Sequence, residues 1–332
     1  MIPPDGAARF LADHGWSDCD ILPLAGDASF RRYFRIVDRR EDRQAVLMDA
    51  PPPHEDPRPF VMMAEWLAEV GLTAPRVLAQ DLGQGLLLLN DLGDARLRET
   101  LDDDPASEEA MYETAVDVLV HLHNQPPLAD LPVHGLEQWT EEVGLFLDWY
   151  VPAVGLQSVD RAGWDAAWNA VLSPVAEDGL GPVTVLRDYH AENIMLVDGK
   201  DGVHRFGLLD FQDALSGHPA YDLVSVLEDA RRDVDPAIET KMIERYRTAT
   251  SADQRFDDAY WALAAQRNTR ILGVFCRLWK RDGKERYKSF QPRMWGLLER
   301  DLSHPSLTPV KNWFDTNVPA NKRSAFWQGA GE

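Results

Sequence analysis

The segment 183–212 constrains the fold more than any other part of the chain. Two short apolar runs, Val183–Leu186 and Ile194–Val197, enclose a polar loop, and a third run, Phe206–Phe211, follows the turn at 198–202. Short apolar runs bounded by turn residues predict buried strands. The turn is short enough for the second and third runs to pair as a hairpin. The sequence therefore predicts a strand, a loop, a second strand and a return strand.

Three polar side chains stand at the ends of these predicted strands, where they can converge: Asp188, Asn193 and Asp210. Asp188 could accept a proton, and the oxygens of Asn193 and Asp210 are hard ligands that suit Mg²⁺. Phosphoryl transfer needs little more than a positioned hydroxyl and metal charge on the phosphates. An Asp–Asn pair is common in ordinary loops, but the strand context and Asp210 favour a catalytic interpretation.

The first ninety residues are predicted to form a small sheet with one helix. Apolar residues recur at helical spacing near 57–70. Short β-type runs bounded by turn residues give the strands, at 21–24, 33–37, 45–48, 76–79 and 86–89.

The remainder of the chain is predicted to be mainly helical, and the tail after Pro305 is expected to pack loosely because Asn, Pro and Lys are frequent in it. The helices are expected near 107–123, 136–150, 159–177, 219–231, 236–249, 254–279 and 285–301.

Length and charge narrow the function classes. The 332 residues suggest about two domains or lobes, and 34 basic against 55 acidic residues give a net charge of −21. This balance argues against a nucleic-acid or anionic-membrane binder. The charge balance does not exclude a phosphate ligand, because such a ligand needs only local cations, N–H groups or a metal.

The cysteines and the lack of targeting segments bear on localisation. Cys19 and Cys276 are expected to be free thiols. The lack of a long apolar run or a signal-like start predicts a cytoplasmic protein.

The segment around Asp188 resembles the eukaryotic-type kinase superfamily. Arg187-Asp188, four residues and Asn193 match its catalytic loop, and Asp210-Phe211-Gln212 stands where that superfamily has Asp-Phe-Gly. The pair His190 and Asn193, with two residues between, and the stretch 217–223 resemble the aminoglycoside phosphotransferase-like family. The resemblance implies a bilobal protein-kinase-like α+β fold. Its expected parts are a small antiparallel-sheet nucleotide-binding lobe, a larger mainly helical catalytic and acceptor-binding lobe and a tail, at 1–92, 93–304 and 305–332.

Three further blocks, at 26–35, 46–52 and 267–273, look like bacterial kinases that phosphorylate N-acetylmuramate and N-acetylglucosamine at the anomeric position in peptidoglycan recycling. The likeness implies a sugar kinase that uses ATP and Mg²⁺, with an amino sugar as its partner. A kinase for another small metabolite, such as an aminoglycoside, choline or homoserine, remains an alternative because net charge does not locate a pocket. A non-catalytic pseudokinase-like binding module is the other alternative.

The resemblance also implies nucleotide contacts. Kinases carry a lysine for the α/β-phosphates where this chain has Met48. Either another cation, Arg31 or Arg32, replaces that lysine, or the protein does not turn over ATP. Arg31 and Arg32 also have an ordinary structural interpretation as surface arginines, and the candidates named next have one as a solvated helix residue or a turn. The residues implied at the nucleotide are Ser29, Phe30, Arg31 and Arg32 beyond the Gly26 turn, Glu65 on the helix, and Asn90, Asp91 and Leu92 in the inter-lobe linker, whose backbone would hydrogen-bond an adenine edge.

On the acceptor side, Phe146, Trp149 and Tyr150 share one helix face at i, i+3 and i+4. Such a stripe is more often core. Because the family places its acceptor near helices of this kind, Trp149 and Tyr150 are candidate sugar platforms. His190 is either a near-site donor or a structural loop residue, and Asp222 is expected to hold the catalytic loop by hydrogen bonds.

Overall fold

The computed structural model describes residues 1–24 and 30–328. Its strands are β1 (Asp20–Pro23), β2 (Arg32–Asp38), β3 (Arg43–Asp49), β4 (Val77–Asp81), β5 (Leu86–Asn90), β6 (Val133–His134), β7 (Val183–Val185), β8 (Ile194–Leu196), β9 (Phe206–Leu208) and β10 (Leu215–Gly217). Its helices are α1 (Ala7–Asp13), α2 (Arg58–Glu69), α3 (Leu97–Asp103), α4 (Glu108–His123), α5 (Leu136–Leu145), α6 (Val151–Ala153), α7 (Arg161–Ala176), α8 (Ala220–Leu227), α9 (Pro236–Thr250), α10 (Gln254–Lys280), α11 (Gln291–Asp301), α12 (Thr308–Asn317) and α13 (Ser324–Gln328). A π-helical turn, Phe146–Tyr150, joins α5 to α6. The α+β class and the strand-rich start of the chain are as predicted.

The chain divides into two compact units. The first comprises Met1–Gln125 and Ala191–Ala214, and the second comprises Pro126–His190 and Leu215–Glu332. This division differs from the expected one, which placed a single lobe boundary at residue 92. The reason is that β8 and β9 belong to the first unit, to which they are joined by bridges from Thr73 to Gly207 and from Arg96 to Met195. The division into nucleotide-binding and acceptor-binding parts stays a prediction. In the described ranges, no helix combines the length and apolar composition needed to cross a membrane.

The first unit is built on an antiparallel sheet with the strand order β1-β2-β3-β5-β4. Side chains alternate between its faces, and one face packs on α1 through Phe34, Ile36, Ala45, Leu47, Leu86 and Leu88. Met48 therefore points to the opposite face from Leu47. It lies in register with Tyr33 and Leu87 and is fully buried. The position where kinases have a lysine is thus part of the packing of this sheet.

The first unit also holds the hairpin of β8 and β9, in which Ile194 lies opposite Leu208. This is the pairing that the sequence predicted. Phe211, just beyond β9, packs against α2, with its ring 4.9 Å from that of Phe60. The hairpin end that carries Asn193 and Asp210 is thereby fixed against the sheet unit.

The second unit is mainly helical around a small sheet of the order β6-β10-β7. Its core contains a cluster of aromatic rings. Phe146 lies 4.6 Å from Tyr150 and 5.3 Å from Phe314, measured between ring centroids. Phe314 belongs to the tail that was expected to pack loosely, and that expectation is wrong. The tail residues Val310, Phe314 and Val318 are fully buried, because the aromatic residues of the tail complete this core.

Helix α10 approaches the end of α5 very closely at Gly273. A Cβ atom at this position would lie 2.5 Å from the carbonyl carbon and oxygen of Leu145 and 2.7 Å from the backbone nitrogen of Phe146. Backbone atoms cannot move aside as the end of a flexible side chain can. Glycine at 273 therefore sets the spacing between α10 and the π-helical turn.

We predict that Gly273→Ala destabilises the protein by about 1–3 kcal/mol, because the added methyl overpacks a helix contact. Gly296→Ala is the matched control, since it lies inside α11 with no atom near its Cβ position, and alanine there is neutral or stabilising by up to about 1 kcal/mol. Urea denaturation of both variants measures the difference. Equal stabilities would contradict the proposed close contact.

Candidate functional site

In the first unit, the hairpin places Asn193 and Asp210 at one end. Asn193 immediately precedes β8, and its carbonyl accepts a hydrogen bond of 2.9 Å from the N–H of Leu209. Asp210 directly follows Leu209, and both Asp210 and Asn193 are partly exposed. The φ of Asp210 is 57° and lies in the left-handed region, which is uncommon for a residue other than glycine and is maintained only where the surroundings enforce it. The two predicted metal ligands thus lie at the same end of the hairpin.

The carboxylate of Asp210 accepts hydrogen bonds from the side chains of Arg31 and Gln212. Arg31 Nη2 donates to its Oδ1 at 3.1 Å, and Gln212 Nε2 donates to the same oxygen at 2.8 Å. Arg31 is 8% exposed. Burial alone lowers the pKa of its guanidinium, but Tyr33 and Asp210 outweigh burial and raise that pKa above its usual range. A fully charged arginine therefore lies against the predicted metal aspartate. Gln212, which stands in place of glycine, also binds this aspartate, a contact that the sequence did not indicate.

The other cation candidate, Arg32, is bound elsewhere. Its Nε donates to Oδ2 of the buried Asp49 at 2.7 Å. Because successive residues of a strand point to opposite faces, Arg31 and Arg32 diverge at the start of β2. Of the two, the structure brings only Arg31 to Asp210.

The predicted linker is fixed by its side chains. Asn90 accepts a hydrogen bond from the N–H of Arg76, and Asp91 forms an ion pair with Arg35 at 2.6 Å. The side chain of Leu92 packs against Gly207, where a Cβ atom would lie 2.8 Å from Leu92 Cδ1. In the described residues, the backbone N–H and C=O groups of Asp91 and Leu92 form no hydrogen bond with protein. That backbone is what a nucleotide base edge would need, so the adenine contact stays a prediction consistent with this geometry.

The remaining nucleotide candidates are less constrained. Phe30 is exposed, stacks on His54 with ring centroids 5.1 Å apart, and donates its N–H to Glu55. Glu65 is exposed on α2. Ser29 lies outside the described residues. Their roles at a nucleotide stay predictions.

In the second unit, Asp188 lies on the loop that follows β7, and Asp222 stabilises this loop by hydrogen bonds. The two carboxylate oxygens of Asp222 accept hydrogen bonds from the N–H groups of Leu186 at 2.6 Å and Arg187 at 2.9 Å. Arg187 has a φ of 72°. Burial raises the pKa of Asp222 to about 7, against the lowering effect of these two donors. The expected supporting role of Asp222 is confirmed, and Asp188 itself is partly exposed.

The predicted acceptor residues differ in their surroundings. Tyr150 is fully buried, and its hydroxyl oxygen accepts hydrogen bonds from Trp295 at 2.7 Å and Trp327 at 2.9 Å. Its interpretation as a sugar platform is therefore wrong, since the ring belongs to the core. Trp149 is partly exposed and stays a candidate. His190 is buried, with Nε2 3.1 Å from Arg231 Nη1, as a structural loop residue would be.

Sequence reasoning missed a buried ionic group beside the Asp188 loop in the second unit. Glu142 on α5 lies 3.4 Å from Arg270 and 3.7 Å from Arg187. Burial on its own would raise the pKa of Glu142, but the hydrogen bond from His134 and the charge of Arg270 lower it to about 2. Glu142 is therefore ionised at neutral pH. Its sequence signal was weak, because an isolated glutamate on a helix usually faces solvent.

Comparison with known proteins identifies relatives of the chain. Residues 20–261 match the model of the phosphotransferase enzyme family. The N-acetylmuramate/N-acetylglucosamine kinase of Caulobacter vibrioides is 38% identical, over 95% of this chain and 97% of that protein. The protein of the same name from Pseudomonas aeruginosa is 36% identical, over 87% of this chain and 86% of that protein.

Among solved structures, the streptomycin–ATP–APH(2″)-IIa ternary complex is similar, with a TM-score of 0.59 and 14% identity over 92% of this chain and 98% of that chain. At this identity the likeness concerns the fold alone. The fold is the protein-kinase-like one that the sequence predicted.

We predict that Asp222→Ala destabilises the protein by about 2–4 kcal/mol, because the buried N–H of Leu186 and the part-buried N–H of Arg187 lose their acceptor. The matched control is Asp233→Ala, which removes an exposed carboxylate paired with Arg293 and should cost at most about 1 kcal/mol. Urea denaturation measures both. An equal loss in the two variants would show that the hydrogen bonds of Asp222 contribute nothing beyond a surface ion pair.

Proposed function

Because the chain belongs to the phosphotransferase enzyme family, we propose that it is an ATP-dependent sugar kinase. It transfers the γ-phosphoryl of ATP to the anomeric hydroxyl of N-acetylmuramate or N-acetylglucosamine, in peptidoglycan recycling in the cytoplasm. The observation that carries the proposal is the loop and hairpin with Asp188, Asn193 and Asp210, in a chain 38% identical to a kinase named for both sugars.

Asp188 is the proposed catalytic residue. It orients the acceptor hydroxyl and accepts its proton as the new O–P bond forms and the bond between the γ-phosphorus and the bridging oxygen of ADP breaks, with ADP as the leaving group. The anomeric hydroxyl suits a weak base, since the second oxygen on its carbon withdraws electron density and makes the hydroxyl more acidic than the others on the ring. The Asp222 hydrogen bonds to Leu186 and Arg187 hold the loop in which Asp188 lies.

Asn193 and Asp210 are the proposed Mg²⁺ ligands. An amide oxygen and a carboxylate at one hairpin end fit a cation that needs only one or two protein ligands besides phosphate and water. Asp210 already attracts a guanidinium, which is consistent with a carboxylate suited to a cation. When bound, Mg²⁺ would neutralise charge on the phosphates.

Arg31 is the proposed replacement for the missing lysine. In the structure it lies against Asp210, whereas Met48 is in the sheet core. Asp91 and Leu92 would offer backbone groups to the base, and Ser29, Phe30 and Glu65 are further candidates for nucleotide contacts.

A non-catalytic binding module is the second candidate, and one observation favours it. The strand position of the usual lysine is occupied by the buried Met48, and Arg31 is engaged with Asp210. Such a module would bind nucleotide without turnover.

The first functional test is an acceptor panel with ATP and Mg²⁺. We predict phosphorylation of N-acetylglucosamine or N-acetylmuramate and none of the 1-O-methyl glycosides, which lack the anomeric hydroxyl. Phosphorus NMR identifies the product, and choline, homoserine and an aminoglycoside serve as the alternative acceptors. Phosphorylation of a 1-O-methyl glycoside as fast as the free sugar would place the reaction at another hydroxyl.

We predict that Asp188→Asn lowers kcat by about 10²-fold or more with little change in nucleotide binding, since the shape is kept and the basic charge is lost. Asp165→Asn, at an exposed position on α7 of the same unit, is the control and should behave as wild type. Near-wild-type turnover by a folded Asp188→Asn protein would rule out this role.

We predict that Arg31→Ala raises the KM for ATP, or lowers kcat if the contact strengthens in the transition state. Arg32→Ala is the matched control, because Arg32 is bound to Asp49, and its KM for ATP should change much less. Steady-state kinetics with ATP varied measures both. If Arg31→Ala, Arg32→Ala and the double variant all matched wild type, the cation would have to come from elsewhere.

A further inference from the structure

Two arginines of the second unit converge on one acid beside the catalytic loop. Arg187 directly precedes Asp188, and Arg270 lies on α10. Both guanidinium groups approach Oε1 of Glu142 on α5, at 3.7 Å and 3.4 Å. Their side chains are 27% and 17% exposed, whereas that of Glu142 is 6% exposed. The arginines can therefore be reached by a ligand, and the acid lies behind them.

Glu142 leaves much of the hydrogen-bonding capacity of these arginines unused. Its Oε2 is already hydrogen-bonded by Gln266 at 3.1 Å and lies 3.2 Å from His134 Nε2. The two arginine contacts at Oε1 are charge contacts that do not meet hydrogen-bond geometry. In the described part of the chain, Nε of Arg187 is a buried donor with no hydrogen-bond partner. One carboxylate thus faces two guanidinium groups, each with a planar set of N–H donors.

The group lies close to the proposed base. Burial lowers the pKa of Arg270, but Tyr221, Glu142 and Asp188 together raise it above its usual range. Arg270 therefore remains a cation within electrostatic reach of Asp188. An anionic substituent of the acceptor could contact it while the reacting hydroxyl is at Asp188.

We propose that Arg187 and Arg270 form the subsite for a carboxylate on the acceptor sugar. This inference rests on the proposed sugar-kinase function and deepens it. N-acetylmuramate differs from N-acetylglucosamine by a lactyl ether that carries one carboxylate. Guanidinium groups bind a carboxylate through paired, charge-assisted hydrogen bonds. Glu142 acts through the arginines as a positioning residue that fixes both.

The test compares the two sugars in the same variants. Arg270→Gln and Arg187→Gln should lower kcat/KM for N-acetylmuramate about 10- to 100-fold more than for N-acetylglucosamine, mostly through KM, because only the first sugar loses a charged contact. Arg270→Lys should retain part of the difference. Arg255→Gln is the matched control, since Arg255 lies at the exposed start of α10 and pairs with Asp253, and it should leave both sugars unchanged.

Calorimetric binding of both sugars gives a readout that is independent of turnover. Wild type should bind N-acetylmuramate more tightly, and Arg270→Gln should lose that difference. Equal losses for the two sugars in kinetics and binding would overturn the subsite and assign the arginines to structure. If wild type phosphorylated neither sugar, the proposed function would fail, and the subsite would fail with it only if carboxylate-dependent binding were also absent.

Discussion

The part of the candidate site that lies in the second unit depends on the hydrogen bonds that the buried Asp222 accepts from the backbone of the Asp188 loop. Both its oxygens are used, by the N–H groups of Leu186 and Arg187. Arg187 has a left-handed backbone conformation, which costs about 1 kcal/mol or more for a residue with a side chain. The carboxylate offsets that cost by accepting hydrogen bonds from two backbone N–H groups of the loop, one buried and one part-buried. The turn then presents Asp188 beyond the end of β7 and sends the side chain of Arg187 toward Glu142.

The parts of the structure with strong local signals could be predicted from the sequence. Long helices such as α10 follow from the spacing of apolar residues, and the strands of the first sheet and the β8–β9 hairpin follow from short apolar runs bounded by turn residues. Asp188, Asn193 and Asp210 were identifiable because each stands where a strand ends. Short polar elements such as α3 and β6 were not predicted, since they are stabilised by tertiary contacts that no local pattern records.

The errors arise where a local pattern has two physical uses. Phe146 and Tyr150 share a helix face in either interpretation, and only the packed structure decides that the face is core. The polar tail lacks a periodic signal, yet a few large rings such as Phe314 suffice to anchor it. Pairs distant in sequence, such as Arg31 with Asp210, carry no joint signal in one sequence. The sequence therefore could not show which of Arg31 and Arg32 lies at Asp210, because that depends on the face of the sheet that each residue occupies.

Net charge and local charge differ in what they say about ligands. The chain carries −21 overall, yet the three arginines that bear on the proposed ligands, Arg31, Arg187 and Arg270, are all at most partly exposed. Solvent-exposed charges are screened over roughly 10 Å at moderate salt, whereas interactions among partly buried groups are screened much less. An acidic surface therefore does not prevent such a protein from binding ATP or an acidic sugar. In each proposed subsite an arginine lies against a carboxylate of the same unit, the partly exposed Asp210 or the buried Glu142, and this carboxylate maintains the charge and position of the arginine before any anionic ligand arrives.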